Sequence, residues 1–316
     1  MKGFVSYTPS NLGIPFMKRR VIGFVLSALL IVFGIGDLFV QGLNFGIDFR
    51  GGILLEVQTE GPADIGTMRQ DLNALNLGEV TLQEFGADDV ALIRVQRQEG
   101  DETAQAAAIE SIKEVLGSEF ELRRQEFVGP QVGEELIQAG ILAIVFSLLG
   151  ILVYVWFRFE WQFAVGAVAA LLHDTIATIA LFSLTQMEFN LSTVAAVLTI
   201  AGYSINDTVV VFDRMRENLR KYKRESLITI IDRSLNETLT RTLLTSGTTL
   251  LALIALWFFG GEVIRGFTVA LIWGIVIGTY SSIFIAAPLL IFLNLRPEQL
   301  DRVSGEDKSD QAAVRS

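Results

Sequence analysis

Six apolar runs, at residues 21–40, 136–157, 163–184, 191–212, 243–259 and 267–293, constrain this chain more than any other feature in it. An α-helix rises about 1.5 Å per residue, so some 20 apolar residues cross the hydrocarbon core of a bilayer. No water is available there to satisfy an open backbone, so such runs must be helical. The expected fold class is therefore an α-helical polytopic membrane protein with six transmembrane helices. Composition agrees: 51% of the 316 residues are hydrophobic and the mean hydropathy is +0.47, too apolar for an ordinary soluble domain. The first run follows Lys18, Arg19 and Arg20, as a signal peptide's core would. It is too long for such a core, however, and GDLFVQGLNFG after it offers no A-x-A cleavage site. It reads as a retained anchor.

Between the first two runs lies a polar stretch, 42–133. Residues 53–58 read as a strand, with Ile53, Leu55 and Val57 on one face. Residues 62–77 read as a helix opened by Pro62. Two strands follow at 79–85 and 91–97, then a helix at 102–116 and a strand at 119–128. The order β-α-β-β-α-β predicts a ferredoxin-like α+β domain.

Lys and Arg near membrane ends mark the cytoplasmic side. Six spans place residues 1–20, 158–162, 213–240 and the tail 294–316 together, and that side holds most of the basic residues. Both termini are thus expected in the cytoplasm and the acidic domain 42–133 outside, in the periplasm. The organisation expected is a first helix at 21–41, the outside domain, and a bundle of five helices over 134–293. Within 213–240, Ile228, Ile231 and Leu235 recur near helical spacing, which predicts an amphipathic helix along the cytoplasmic surface. The tail has a disordered composition.

Several function classes fall away. There is no cysteine and a single histidine, His173, so neither thiol chemistry nor a multi-histidine metal centre is expected. No Walker A pattern occurs, so ATP hydrolysis is not the expected energy source. A net charge of −10 argues against nucleic acid as a partner. No nucleophile–base arrangement suggests an enzyme, and no cofactor is expected.

The polar residues inside the apolar runs carry the functional signal. Asp207 sits 16 residues past the start of its span at Leu191, about 24 Å deep. A charge there costs at least about 2.5–3.5 kcal/mol, which is tolerated where the group lines a cavity, finds a partner or titrates. Arg241, in the next, antiparallel span, falls at a matching depth and is the expected ionic partner. Thr199, Tyr203, Asn206 and Asp207 share one helix face; Thr238, Arg241, Thr245, Thr248 and Thr249 form a second stripe. Two readings stand. The stripes line a wet path in which Asp207 alternately meets Arg241 and a proton, or they form a static ion pair with hydroxyls bonded back to helix carbonyls. His173 and Asp174, mid-span, are either a proton relay or a hydrogen-bonded packing pair. Gly274 and Gly278 form a G-x-x-x-G contact face for a helix of this chain or a partner.

Two motifs together resemble a known family. NFGIDFRGG, with Gly46, Asp48, Gly51 and Gly52, follows the first span, and GYSINDTVVVFDRMREN, residues 202–218, ends the fourth. With one outside domain between spans one and two, the chain resembles the SecF side of the SecD/SecF family, part of the RND superfamily of proton-driven transporters. The resemblance implies a subunit that pairs with SecD and works with the SecYEG translocon in the bacterial inner membrane. YajC, YidC, the translocating polypeptide and membrane lipid are the further partners it implies. It also implies that the proton motive force is used to draw secretory chains outward, with Asp207 and Arg241 linked to proton conduction. The glycines of NFGIDFRGG allow tight turns, and Asp48 is expected either to cap the junction or to act within a hinge. A small-molecule exporter of the RND kind and a passive translocon scaffold are the alternatives, and sodium remains open as the coupling ion.

Overall fold

The computed structural model describes residues 13–293 and 295, apart from 79, 99, 101, 118 and 119. Residues 1–12 and, but for Leu295, the tail expected to be disordered over 294–316 lie outside the described residues.

Among the described residues, six helices are long and apolar enough to cross a membrane. They are α1 (Arg20–Val40), α5 (Pro130–Arg158), α6 (Trp161–Thr185), α7 (Leu191–Lys221), α8 (Leu227–Phe259) and α9 (Arg265–Ser281). The last continues through a π-helical turn, Ser282–Ala286, into α10 (Ala287–Phe292). A one-turn helix, α2 (Ile47–Arg50), hands the chain from α1 to a sheet domain. That domain comprises β1 (Gly52–Thr59), α3 (Ile65–Ala74), β2 (Val80–Phe85), β3 (Ala87–Val95), α4 (Glu102–Leu116) and β4 (Phe120–Val128). The strands form an antiparallel sheet in the order β2-β3-β1-β4, the ferredoxin-like arrangement expected from the sequence.

Alternation in the strands explains why this sheet has two uses. Ile53, Leu55, Val57 and Ile93 point to one face and form a core with Met68 and Leu72 of α3 and Ile112 of α4. Leu54 and Leu92, of opposite parity, are buried on the other face with Ile47 of α2. The second face is therefore laid over the junction with the membrane helices.

Boundaries differ from expectation where capping chemistry decides. The first domain helix begins at Ile65, not Pro62, because the Asp64 side chain accepts the Thr67 N–H at 3.1 Å. The same bonds to Thr67 hold the Asp64 carboxyl below the usual range. The strand expected at 91–97 begins at Ala87 and ends at Val95. The second span starts at Pro130, where proline without an N–H fits a first helical turn.

The larger correction concerns 213–240. No separate helix lies along a surface there. Instead α7 runs on to Lys221, and α8 starts at Leu227 behind a Ser226 cap that accepts the Thr229 N–H at 3.2 Å. The apolar face exists, but protein covers most of it: Ile231 and Leu235 pack with Met215 and Leu219 of α7, while Ile228 stays exposed. The segment before α1 is tied to the same hairpin. Met17 N–H donates to Asp232 Oδ1 at 2.8 Å, and Ile14 N–H to Asn236 Oδ1 at 2.9 Å.

Candidate functional site

The site is built where α6, α7, α8 and α9 meet. Gly274 and Gly278 of α9 set the approach to α7. A Cβ on Gly274 would fall 2.3 Å from Ile200, and one on Gly278 3.1 Å from Ser204. The partner of the G-x-x-x-G face is thus a helix of this chain.

Tyr203, Asn206 and Asp207 of α7 and Arg241 and Thr245 of α8 line one narrow cleft, so the structure brings these five predicted residues together. Thr248 is not among its lining residues; its hydroxyl donates to the Leu244 carbonyl at 2.9 Å. Thr238, Thr245 and Thr249 likewise donate to carbonyls of their own helix.

The expected direct ion pair is corrected. Asp207 Oδ1 accepts from the hydroxyl of Thr242, and among the described residues no ion pair joins Asp207 to Arg241. Successive helical residues are about 100° apart, so a hairpin that points Thr242 at α7 turns Arg241 to its flank. Thr242 is buried and Arg241 exposed. The second oxygen, Oδ2, is buried and makes no hydrogen bond of normal geometry, although the Ser282 hydroxyl interacts with the carboxylate.

Behind this cleft runs a chain of small hydroxyls that sequence reasoning missed. Thr208, next to Asp207, lies 2.8 Å from Ser282 at the start of the π-helical turn. Ser281 donates to Asp174 Oδ2 at 2.8 Å, and Ser204 of α7 donates to the same oxygen at 2.6 Å. His173 Nδ1 lies 3.0 Å from Asp174 Oδ1. Asp174 is only 1% exposed, and the three donors satisfy both its oxygens while joining α6 to α7 and α9. His173 Nε2 is buried without a partner. The signal for these residues was present, as serines and threonines recurring in spans otherwise apolar. Their mutual contact is not a property of one helix.

The junction motif has its own geometry. Gly51 and Gly52 take φ of +71° and +124°, in the left-handed half of the map, and a Cβ on Gly52 would meet the Val95 carbonyl at 2.7 Å. Gly46 N–H donates to the Phe189 carbonyl at 2.9 Å, and Phe189 N–H to the Asn44 carbonyl at 2.8 Å. Asp48 Oδ2 accepts the Leu191 N–H at 2.8 Å, so it satisfies an open donor in the first turn of α7. Next to these bonds, Arg94 of β3 pairs with Glu188 of the α6–α7 loop. Among the described residues no group of three or more His, Cys, Asp or Glu side chains is placed to hold a metal ion.

Six membrane-length helices, a ferredoxin-like domain after the first, and an intramembrane carboxylate beside a basic side chain define a polytopic membrane protein of the transport type. Comparisons with known proteins make this particular. Residues 108–296 match the family described as protein export membrane protein SecD/SecF, C-terminal, and residues 38–63 match the SecD/SecF GG motif. The chain is 47% identical over 296 residues to protein translocase subunit SecF of Rickettsia bellii, covering 92% of this chain and 97% of that one. It is 47% identical over 289 residues to SecF of Vibrio alginolyticus, covering 91% and 92%. The crystal structure of SecDF, a translocon-associated membrane protein from Thermus thermophilus, superposes with a TM-score of 0.82 at 34% identity over 90% of this chain. The match spans 39% of that longer SecDF chain. The chain belongs to the SecD/SecF family, as a SecF-type membrane subunit of protein translocation.

Proposed function

We propose that this subunit couples the proton motive force to Sec-dependent export, with Asp207 as the group that changes charge. The observation that carries the reading is the state of Asp207. It lies at membrane depth, holds one oxygen on Thr242, keeps the other buried without a hydrogen bond of normal geometry, and shares a cleft with Arg241. With Arg241 drawn close the carboxylate keeps its charge; with Arg241 withdrawn an apolar setting favours the neutral acid. One proton moved through 100 mV releases about 2.3 kcal/mol, enough to bias a conformational cycle. Tyr203, Asn206 and Thr245 line the path beside that exchange. Asp174 acts as a cross-link from α6 to α7 and α9 rather than as a relay, because it already holds Ser204, Ser281 and, on its own helix, His173.

The partner is a SecD-type chain, and the pair serves the SecYEG channel in the bacterial inner membrane. Two observations support this. The SecDF relative is more than twice as long as the stretch matched here. And Thr199, Gly202, Asn206, Arg241, Thr245 and Thr248 are exposed at membrane depth on α7 and α8, a polar face that lipid does not cover cheaply. Both termini face the cytoplasm and the sheet domain faces the periplasm, which agrees with the placement of Lys and Arg.

The test is Asp207→Asn, which keeps size and hydrogen bonding but cannot ionise. Inverted vesicles carrying the variant at normal level should assemble the complex and lose gradient-dependent export. Full gradient-dependent export would end the reading. Collapsing the proton and sodium gradients separately identifies the ion.

A further inference from the structure

The α6–α7 loop joins two parts of the molecule that the coupled reaction must connect. Asp207 lies on α7, a single helix of 31 residues with no proline. Its outer end, 16 residues from Asp207, is fastened at three points. Asp48 holds the Leu191 N–H. Phe189 exchanges two backbone hydrogen bonds with the junction segment at Asn44 and Gly46. Phe189 also packs against Phe45, Phe49 and Phe182, with ring centroids 6.1, 6.0 and 5.7 Å away. The hydrogen bonds and the rings of Phe45 and Phe49 tie the start of α7 to the junction, while Phe182 ties the same loop to α6. One charged contact then passes from this loop to the sheet: Glu188 to Arg94.

Arg94 sits on β3, the sheet's second strand, with the parity of Leu92 rather than Ile93. It therefore projects from the face turned to the membrane helices, where Leu54, Leu92 and Ile47 are buried together. It is 17% exposed and Glu188 28%, so the pair is more shielded than an ordinary surface bridge. Arg94 Nε is buried with no partner, so the guanidinium is held by fewer bonds than it can make. The cleft around the pair is lined by Asp48, Arg124, Glu126 and Arg265.

We propose that Glu188 and Arg94 are positioning residues for coupled export: their ion pair is the contact through which displacement of α7 moves the outside domain. The inference rests on the reading of Asp207 as the titrating group, and goes beyond it by assigning the output contact. A helix without proline transmits axial displacement along its length, since its hydrogen bonds run parallel to the axis. A shift at Asp207 thus arrives at residues 188–191. The fastening by Asp48 keeps junction and helix moving together, and the ion pair hands that motion to β3.

The experiment uses the full chain with its partner in inverted vesicles and reads the gradient-dependent part of export. Arg94→Glu and Glu188→Arg each place two like charges in contact and should each abolish most of it. The double exchange Arg94→Glu with Glu188→Arg restores the pair in reverse and should recover it. Glu188→Gln removes the charge at equal size and serves where a charge reversal lowers the amount of protein in the membrane. It should also lose gradient-dependent export at normal abundance. Full export by Glu188→Gln, or a double exchange no better than the single variants, overturns the proposal. Asp207→Asn measured alongside separates the two readings. If it loses coupling while Glu188→Gln keeps it, only the output contact is wrong.

Discussion

At the scale of single residues, Glu188 shows a charge retained at a cost. Burial pushes its carboxyl above the usual range, and the opposing pull of Arg94 is the smaller effect. Asp48 nearby pushes in the same direction as burial and Arg124 against it. The folded chain therefore holds the proton more tightly than the unfolded chain. Stability from this group is present at low pH and is lost as pH rises from the ordinary glutamate value, near 4.5, through the raised folded value. Glu188→Gln mimics the protonated side chain at every pH. The purified variant should therefore unfold at a higher temperature than the parent at neutral pH, and the difference should close toward pH 4. A lower unfolding temperature for the variant at neutral pH would mean that the ion pair outweighs burial. What was legible at this scale is the polar residue out of place. A carboxylate in an apolar run announces itself, so Asp207 and Asp174 were found. Glu188 was not, because an acid in a short loop is ordinary until the fold brings Arg94 against it. Thr242 was missed for a similar reason. Matching depths along two spans identify a turn of helix, but not which of two adjacent residues faces inward.

At the scale of elements, helices and strands were legible wherever a period ran long enough. Six apolar runs became six membrane-length helices, and the order β-α-β-β-α-β was enough to anticipate a ferredoxin-like sheet. The ends were less so, since caps and tertiary cover decide them. The amphipathic stretch at Ile231 and Leu235 fits a membrane surface as well as a protein groove, and only the extension of α7 settles the choice. The spacing of Gly274 and Gly278 said that something packs close, and the structure supplies Ile200 and Ser204 of α7. Gly274→Ala should be costly, because its Cβ would overlap Ile200, which is itself buried at 2% exposure. Overpacking of this kind costs about 1–3 kcal/mol. Gly202→Ala is the control, since a Cβ there meets nothing within 4 Å. In detergent, thermal unfolding of the first variant should shift down and that of the second should hold. Equal midpoints would mean that α7 and α9 separate freely enough to absorb a methyl group. The comparison matters for mechanism, because the same contact holds Ser204 and Ser281 on Asp174.

At the scale of the whole molecule, the exposed polar face on α7 and α8 is a demand for a partner. Arg241 and Asn206 open to the outside of the bundle at a depth where lipid offers no hydrogen bonds. An arginine left in hydrocarbon costs at least about 2.5–3.5 kcal/mol, and covering it with helices that carry their own polar groups removes that cost. The cleft of Asp207 opens on the same face, so the covering helices also decide which solvent reaches the carboxylate. Thr248 reports on this arrangement, being exposed and one turn from the cleft-lining Thr245. The chain contains no cysteine, so Thr248→Cys introduces a unique label position. A nitroxide attached there should be open to oxygen when the chain is reconstituted alone in lipid. It should lose that access when the SecD-type partner is reconstituted with it. If oxygen access is the same with and without the partner, this face meets lipid in the complex. The route of a proton to Asp207 would then have to run through the hydroxyls of Thr208, Ser282 and Ser281 inside the bundle.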